Sequence, residues 1–340
     1  MKRLALFLAA AACAATILTS PFAHAEEIKG AGSTFAYPVI TKWAQSFRAM
    51  SGHKIAYDGI GSSRGVTRLK DGLVDFAASD KPLKHDELEE FGLGQFPIVI
   101  GGIVPIVNIK GIAPGQLKLT GAVLADIFLG KIHKWSDPAI RALNPDLSLP
   151  EAQIAVTYRL DGSGTTFNWS SYLSNASSEW REKLGAASSI EWPVGTGAKG
   201  NEGVALRVQQ IPNAIGYVEH SFAVKLQLAY ALVQNAAGQF VEPDEKSLEA
   251  AMASVHWNAS KDFYAVIGDS PNVDAYPIAA TTFALMYKKP KSPERSKAAF
   301  EFFRWALENG RADAAALGYA PLPADLIQKI EDYVAQAFSS

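Results

Sequence analysis

The chain has 340 residues, 48% apolar and 19% charged, which describes a globular protein of about two domains and excludes a disordered one. Its 32 basic and 34 acidic residues give a formal net charge of −2, so no basic excess points to nucleic acid. The single cysteine, Cys13, can form neither an internal disulfide nor a cysteine-based metal site.

In chain order, Lys2 and Arg3 come first, then an apolar run from Leu4 to Ile17 and an Ala23-His24-Ala25 exit. A charged start, a short apolar stretch and an A-x-A exit describe a secretory signal peptide cleaved after Ala25. The run is too short to span a bilayer as a mature helix. Lipid attachment at Cys13 is disfavoured, because Ala10 stands where leucine is favoured and the apolar run continues past the cysteine. Removing residues 1–25 leaves 30 basic and 34 acidic residues and no cysteine. The expectation is an exported, soluble, disulfide-free protein.

Val39, Ile40, Trp43 and Phe47 share one face of a helix predicted from about Ala36 to Met50. A strand follows over Lys54–Ile60, a short helix over Val66–Leu73 and a strand over Val74–Ala78. Ile98–Ile109 reads as two buried strands separated by Gly101-Gly102. Thr120 caps a helix through Leu129. A strand is expected at Ile154–Tyr158 and a helix at Thr165–Ser174. A helix is expected at Val204–Gln210, with strands at Ala214–Val218 and Thr281–Tyr287. Two helices close the chain. One carries Ala299, Phe302, Phe303 and Ala306 and stops at Gly310; the other opens at Pro323 with Ile327, Ile330 and Val334 inward. Strands alternating with helices argue an α/β fold. No internal repeat appears, and no Pro/Gly/Ser tether divides the chain into consecutive halves.

Three places share one form: a strand, a Gly/Ser/Thr turn, then a helix. They are Gly30-Ala31-Gly32-Ser33-Thr34-Phe35, Gly59-Ile60-Gly61-Ser62-Ser63-Arg64-Gly65 and Asp161-Gly162-Ser163-Gly164-Thr165-Thr166. A helix N-terminus presents unpaired N–H groups and partial positive charge, and small residues let an anion approach them. Any one turn can equally be an ordinary N-cap. Three together, with Arg159 just before the third, favour a shared anion site.

Two segments mimic enzyme motifs. Gly61-Ser62-Ser63-Arg64-Gly65 fits G-x-S-x-G, which offers a serine hydrolase as the competing function, with Ser63 as nucleophile and His220 or His256 as base. Gly195-Thr196-Gly197-Ala198-Lys199-Gly200 fits G-x-G-x-x-G with Glu219 downstream. Pro193 interrupts its strand, and Glu202 brings an acid where a pyrophosphate would lie, so it reads as a structural or binding loop. The histidines at 53, 85, 133, 220 and 256 show no metal-ligand spacing, and no cofactor is expected.

As an ordered set these segments resemble the periplasmic phosphate-binding proteins of the phosphate-specific ABC transporter. The likeness runs through GAGSTF, YDGIGSS, VDFAASD, FPIVIGGIVPIVNI, LTGAVLADIFLGKIHKWSDP, YRLDGSGTTFNWSSYL, PVGTGAKGNEGV and AIGYVE, covering nearly the whole mature chain. It implies a type II, hinged two-lobe α/β fold with a mixed sheet in each lobe. Residues 26–99 and 281–340 would form lobe I and 100–280 lobe II, with crossovers near Ile98–Ile100 and Ala280–Phe283. It implies a monomer that binds inorganic phosphate without catalysis and hands it to an inner-membrane permease. By motif, the phosphate ligands would be Thr34, Phe35, Ser62, Asp80, Arg159, Ser163, Gly164 and Thr165, with Asp161 orienting Arg159. Asp80 would accept the proton that phosphate keeps near neutral pH, which disfavours sulfate, molybdate and tungstate. Arg64 departs from the family, which usually has a small residue there.

Overall fold

A computed structural model describes residues 27–268 and 270–338, so the expected signal peptide lies outside the described residues. Twelve strands are described: β1 (Glu27–Gly32), β2 (Lys54–Gly59), β3 (Phe76–Ser79), β4 (Leu93–Val107), β5 (Lys118–Leu119), β6 (Ala155–Arg159), β7 (Thr196–Ala198), β8 (Ala214–Glu219), β9 (Ala229–Tyr230), β10 (Leu232–Gln234), β11 (Phe240–Val241) and β12 (Ala279–Tyr287). Nine join in the order β2-β1-β3-β12-β4-β8-β6-β7, with β9 also beside β4; β11, β10 and β5 form a small separate sheet.

β4 organises this order. Its Leu93–Gly102 part runs antiparallel to β12, and its Ile103–Val107 part runs antiparallel to β8. On one side lie the parallel strands β2, β1 and β3, joined through β12. On the other, β8 pairs in parallel with β6, and β6 with β7. Two lobes result, each with a mixed sheet, and β4 passes from one to the other.

All fifteen residues of β4 are buried, and it is one continuous strand rather than the two expected on either side of Gly101-Gly102. The glycines serve close packing, not a turn. A Cβ on Gly101 would sit 2.7 Å from the Phe35 ring, and one on Gly102 would sit 3.1 Å from Pro243.

Most other elements lie where the pattern puts them. The helix Tyr37–Ser51 buries Val39, Ile40, Trp43 and Phe47. Thr120 caps Gly121–Phe128 by accepting from the Val123 N–H. The helix expected from Val66 begins at Ser62, because the polar Ser62-Ser63-Arg64 turn is already helical although it carries no apolar signal. The closing helix Ala324–Ala337 buries Leu326, Ile330 and Tyr333, a face rotated from the Ile327–Val334 stripe.

Aromatic packing anchors each lobe. Phe303 meets Phe76 edge-on at 4.9 Å and Phe302 at 5.0 Å in the first. In the second, Trp169 stacks on Tyr217 at 4.8 Å, with Phe128 and Trp192 around them. Each fully buried ring contributes about 1.5–3 kcal/mol through its apolar area.

Candidate functional site

The three Gly/Ser/Thr turns converge where the lobes meet. At the end of β1, Gly32 has φ +139, and a Cβ there would lie 2.1 Å from the Ala78 carbonyl oxygen. Only glycine lets the chain leave the sheet here. The next residue, Ser33, accepts the Ala36 N–H at 3.1 Å and donates to Asp80 Oδ1 at 2.5 Å. Phe35 is buried, and its carbonyl accepts from the Tyr319 hydroxyl at 2.7 Å. No side chain caps the helix that follows.

The second turn is held against the first. Ile60 and Gly61 N–H groups both donate to the Gly32 carbonyl, at 3.0 and 2.8 Å. Ser62 is buried and faces Asp80: its Oγ donates to Oδ2 and accepts from the Asp80 N–H, each at 3.3 Å.

The third turn comes from the other lobe, after β6. Arg159 is 3% exposed. Its Nε and Nη2 donate to the two Asp161 oxygens at 2.9 and 2.6 Å, and Nη1 donates to Thr165 Oγ1 at 3.3 Å. The Gly200 N–H adds a bond to Asp161 Oδ1 at 2.9 Å. Burial pushes the Asp161 carboxyl up, but Arg159 and Gly200 outweigh it, and the net result lies below the ordinary carboxylate range. The pair fixes the guanidinium plane. Ser163 caps the helix Gly164–Ala176 by accepting the Thr166 N–H at 3.0 Å, and its own N–H donates to the Ser188 carbonyl. Its hydroxyl oxygen therefore does what an N-cap does, with the hydroxyl proton still free to donate.

The lobes touch across these turns. A Cβ on Gly164 would fall 2.6 Å from Ser62 Oγ and 2.7 Å from Asp80 Cβ. Ser63 N–H donates to the Gly162 carbonyl at 3.3 Å, and Asn168 Nδ2 donates to the Asp80 carbonyl at 2.6 Å.

Asp80 is the centre. It is 2% exposed. Burial pushes its carboxyl from 3.8 up to about 6, against the pull of Ser33, Thr282, the Arg159 charge and Ser62. Thr282 Oγ1 donates to Oδ1 at 2.8 Å, so Ser33 and Thr282 occupy both lone pairs of that oxygen. Oδ2 carries only the long Ser62 bond and has room for one proton donor.

Four contributors were not singled out from the sequence: Ser33, Thr282, Asn168 and Asn201. Asn201 is buried behind the G-x-G-x-x-G loop. Its backbone N–H and Nδ2 donate to Thr34 Oγ1 at 3.2 and 2.9 Å, and Nδ2 also donates to Thr165 Oγ1 at 3.2 Å. Its Oδ1 accepts the Glu219 N–H at 3.0 Å. The loop read as structural or binding thus closes onto the first and third turns. Glu219 itself is buried, caps the following helix through Ser221, and is raised to about 8 by burial.

A chain of this geometry has relatives. A model of the PBP superfamily domain matches residues 14–309. The phosphate-binding protein PstS of Xylella fastidiosa (strain 9a5c) is 50% identical over 312 residues, covering 92% of this chain and 86% of that protein. PstS of Methanocaldococcus jannaschii is 36% identical, covering 88% and 83%. The chain belongs to the PstS family. The family fold is seen in solved structures too. A periplasmic phosphate-binding protein named PfluDING, bound with phosphate, aligns with TM-score 0.74 at 21% identity, covering 90% of this chain and 93% of that one. A putative phosphate ABC transporter substrate-binding protein from Clostridium perfringens aligns at 0.64 and 22%, covering 88% and 100%.

Membership in this family of binding proteins removes the hydrolase alternative, and the geometry agrees. Ser63 is exposed, both ring nitrogens of half-buried His220 lack a hydrogen-bond partner, and His256 is exposed. No Ser–His pair is assembled from them. Arg64 is exposed. Among the described residues, no group of three His, Cys, Asp or Glu could hold a metal ion.

Proposed function

We propose that this protein binds inorganic phosphate between its lobes and delivers it to the permease of an ABC importer. Thr34, Phe35, Ser62, Arg159, Ser163, Gly164 and Thr165 donate hydrogen bonds to the anion, and Asp80 accepts its proton. Asp161 holds Arg159 in plane. The protein acts as a monomer in the periplasm after cleavage behind Ala25. Lobe I comprises 26–99 and 281–340 and lobe II 100–280; the change of partner along β4, from β12 to β8, supports that division. Closure of one lobe on the other traps the ligand.

One observation carries this reading: a buried carboxylate set among hydroxyl donors and a buried guanidinium, with Oδ2 open to a proton. A carboxylate in an anion site is repulsive unless the anion brings a proton. Phosphate does so near neutral pH; sulfate does not. Denaturing the purified protein and assaying the supernatant tests the ligand. About one phosphate per chain is expected, and far less from an Arg159→Ala variant. Absence of phosphate in a protein that also fails to take up added phosphate would remove the proposal.

A further inference from the structure

We propose that Asn201 is a positioning residue that makes Thr34 and Thr165 obligate hydrogen-bond donors and so directs the ligand's protonated oxygen to Asp80. The proposal rests on the phosphate reading above and adds a specificity determinant to it.

A hydroxyl has one proton to give and two lone pairs to receive with. Left alone, a threonine at an anion site can serve protonated and unprotonated oxygens alike. Here both hydroxyls are filled on the accepting side. Thr34 Oγ1 receives the Asn201 N–H at 3.2 Å and Nδ2 at 2.9 Å. Thr165 Oγ1 receives the same Nδ2 at 3.2 Å and Arg159 Nη1 at 3.3 Å. Each is left with its own O–H to offer. The amide cannot be turned round, because its Oδ1 holds the Glu219 N–H at 3.0 Å. One side chain therefore sets the polarity of two hydroxyls, one in the first turn and one in the third.

The consequence is selectivity. A phosphoryl oxygen carrying a proton finds no acceptor at Thr34 or Thr165. At Asp80, Oδ1 is filled by Ser33 and Thr282, and Oδ2 remains able to accept. The proton of the ligand is thereby led to one carboxylate oxygen, and an anion without a proton leaves that oxygen with only the long Ser62 bond.

The test is a mutant cycle read by calorimetry at pH 7.5 with inorganic phosphate. Asn201→Ala removes both Nδ2 bonds and should weaken phosphate binding about tenfold, the usual worth of an orienting hydrogen bond. In a Thr34→Val, Thr165→Val background the same change should cost less than about twofold, because the hydroxyls it acts on are gone. A merely structural asparagine would cost the same factor in both backgrounds, and that result would overturn the proposal. Asn201→Asp is the second variant. It keeps the bond to the Glu219 N–H and the side-chain shape but turns the donor into an acceptor, so both threonine protons should swing toward it. A loss of about a hundredfold is expected, well above the loss in the valine background, where only the added charge acts. Affinity equal to wild type would contradict the assignment. Wild-type protein that binds no phosphate would instead sink the functional reading, so the two failures are distinguishable.

Discussion

Asn168, on the helix of the third turn, donates its amide to the backbone carbonyl of Asp80 at 2.6 Å. The same Nδ2 also holds the Gly164 carbonyl at 3.0 Å, so one amide joins the carboxylate-bearing strand end to the helix start opposite it. This bond crosses the lobes and forms only when they meet. Asn168→Ala should therefore speed phosphate release and weaken affinity by about tenfold, with little change in the association rate. Stopped-flow dissociation measurements would check it.

Gly164 is one of the places where the lobes approach closely. Gly164→Ala puts a methyl group 2.6 Å from Ser62 Oγ and 2.7 Å from Asp80 Cβ. Lobes held apart would meet no such conflict, so the fold should survive. We expect phosphate affinity to fall by at least about a hundredfold while the ligand-free melting temperature stays within a few degrees of wild type. Calorimetry and thermal denaturation together would show it.

Asp80 also carries a stability signature. Its carboxyl is raised from 3.8 to about 6, mainly by burial. A raised acid favours the fold at low pH, where it is neutral in both states, and that advantage fades as pH climbs from about 4 through about 6. Well above pH 6 the buried charge costs the closed arrangement without ligand about 3 kcal/mol. Asp80→Asn should thus raise the ligand-free melting temperature by several degrees at pH 8 and change it little at pH 4.

The same titration predicts how the wrong anion behaves. Above pH 6, ionised Asp80 repels sulfate. Below it, the protonated carboxyl can donate to a sulfate oxygen. Sulfate affinity should rise as pH falls from 8 to 5, and Asp80→Asn should bind sulfate with little dependence on pH. Competition calorimetry across that range would check both.

Asp80, Arg159 and the three turns could be found in the sequence because each sits in a short contiguous motif whose chemistry is local: glycine where backbone must approach, hydroxyl at a helix start, arginine two residues from its carboxylate. Thr282 could not. It lies 202 residues from Asp80, on a strand legible only as apolar, and its inward hydroxyl is placed by the β12 register against β3 and β4. Asn201 lies inside the PVGTGAKGNEGV segment, yet nothing in its spacing tells that it faces Thr34, 167 residues earlier. The break read at Gly101-Gly102 had a similar cause. Local turn chemistry suggested a loop, whereas the ring of Phe35 from a distant helix start requires glycine there.

In the proposed function the buried Asp80 carboxylate selects an anion that carries a proton. Calorimetry of refolded, ligand-free protein at pH 8, with phosphate and then with sulfate, tests it most directly. We predict a saturable heat for phosphate at one site per chain and sulfate weaker by at least about a hundredfold, matching the few kcal/mol lost on burying an unpaired charge. Equal affinity for the two anions, or no heat with phosphate, would contradict it.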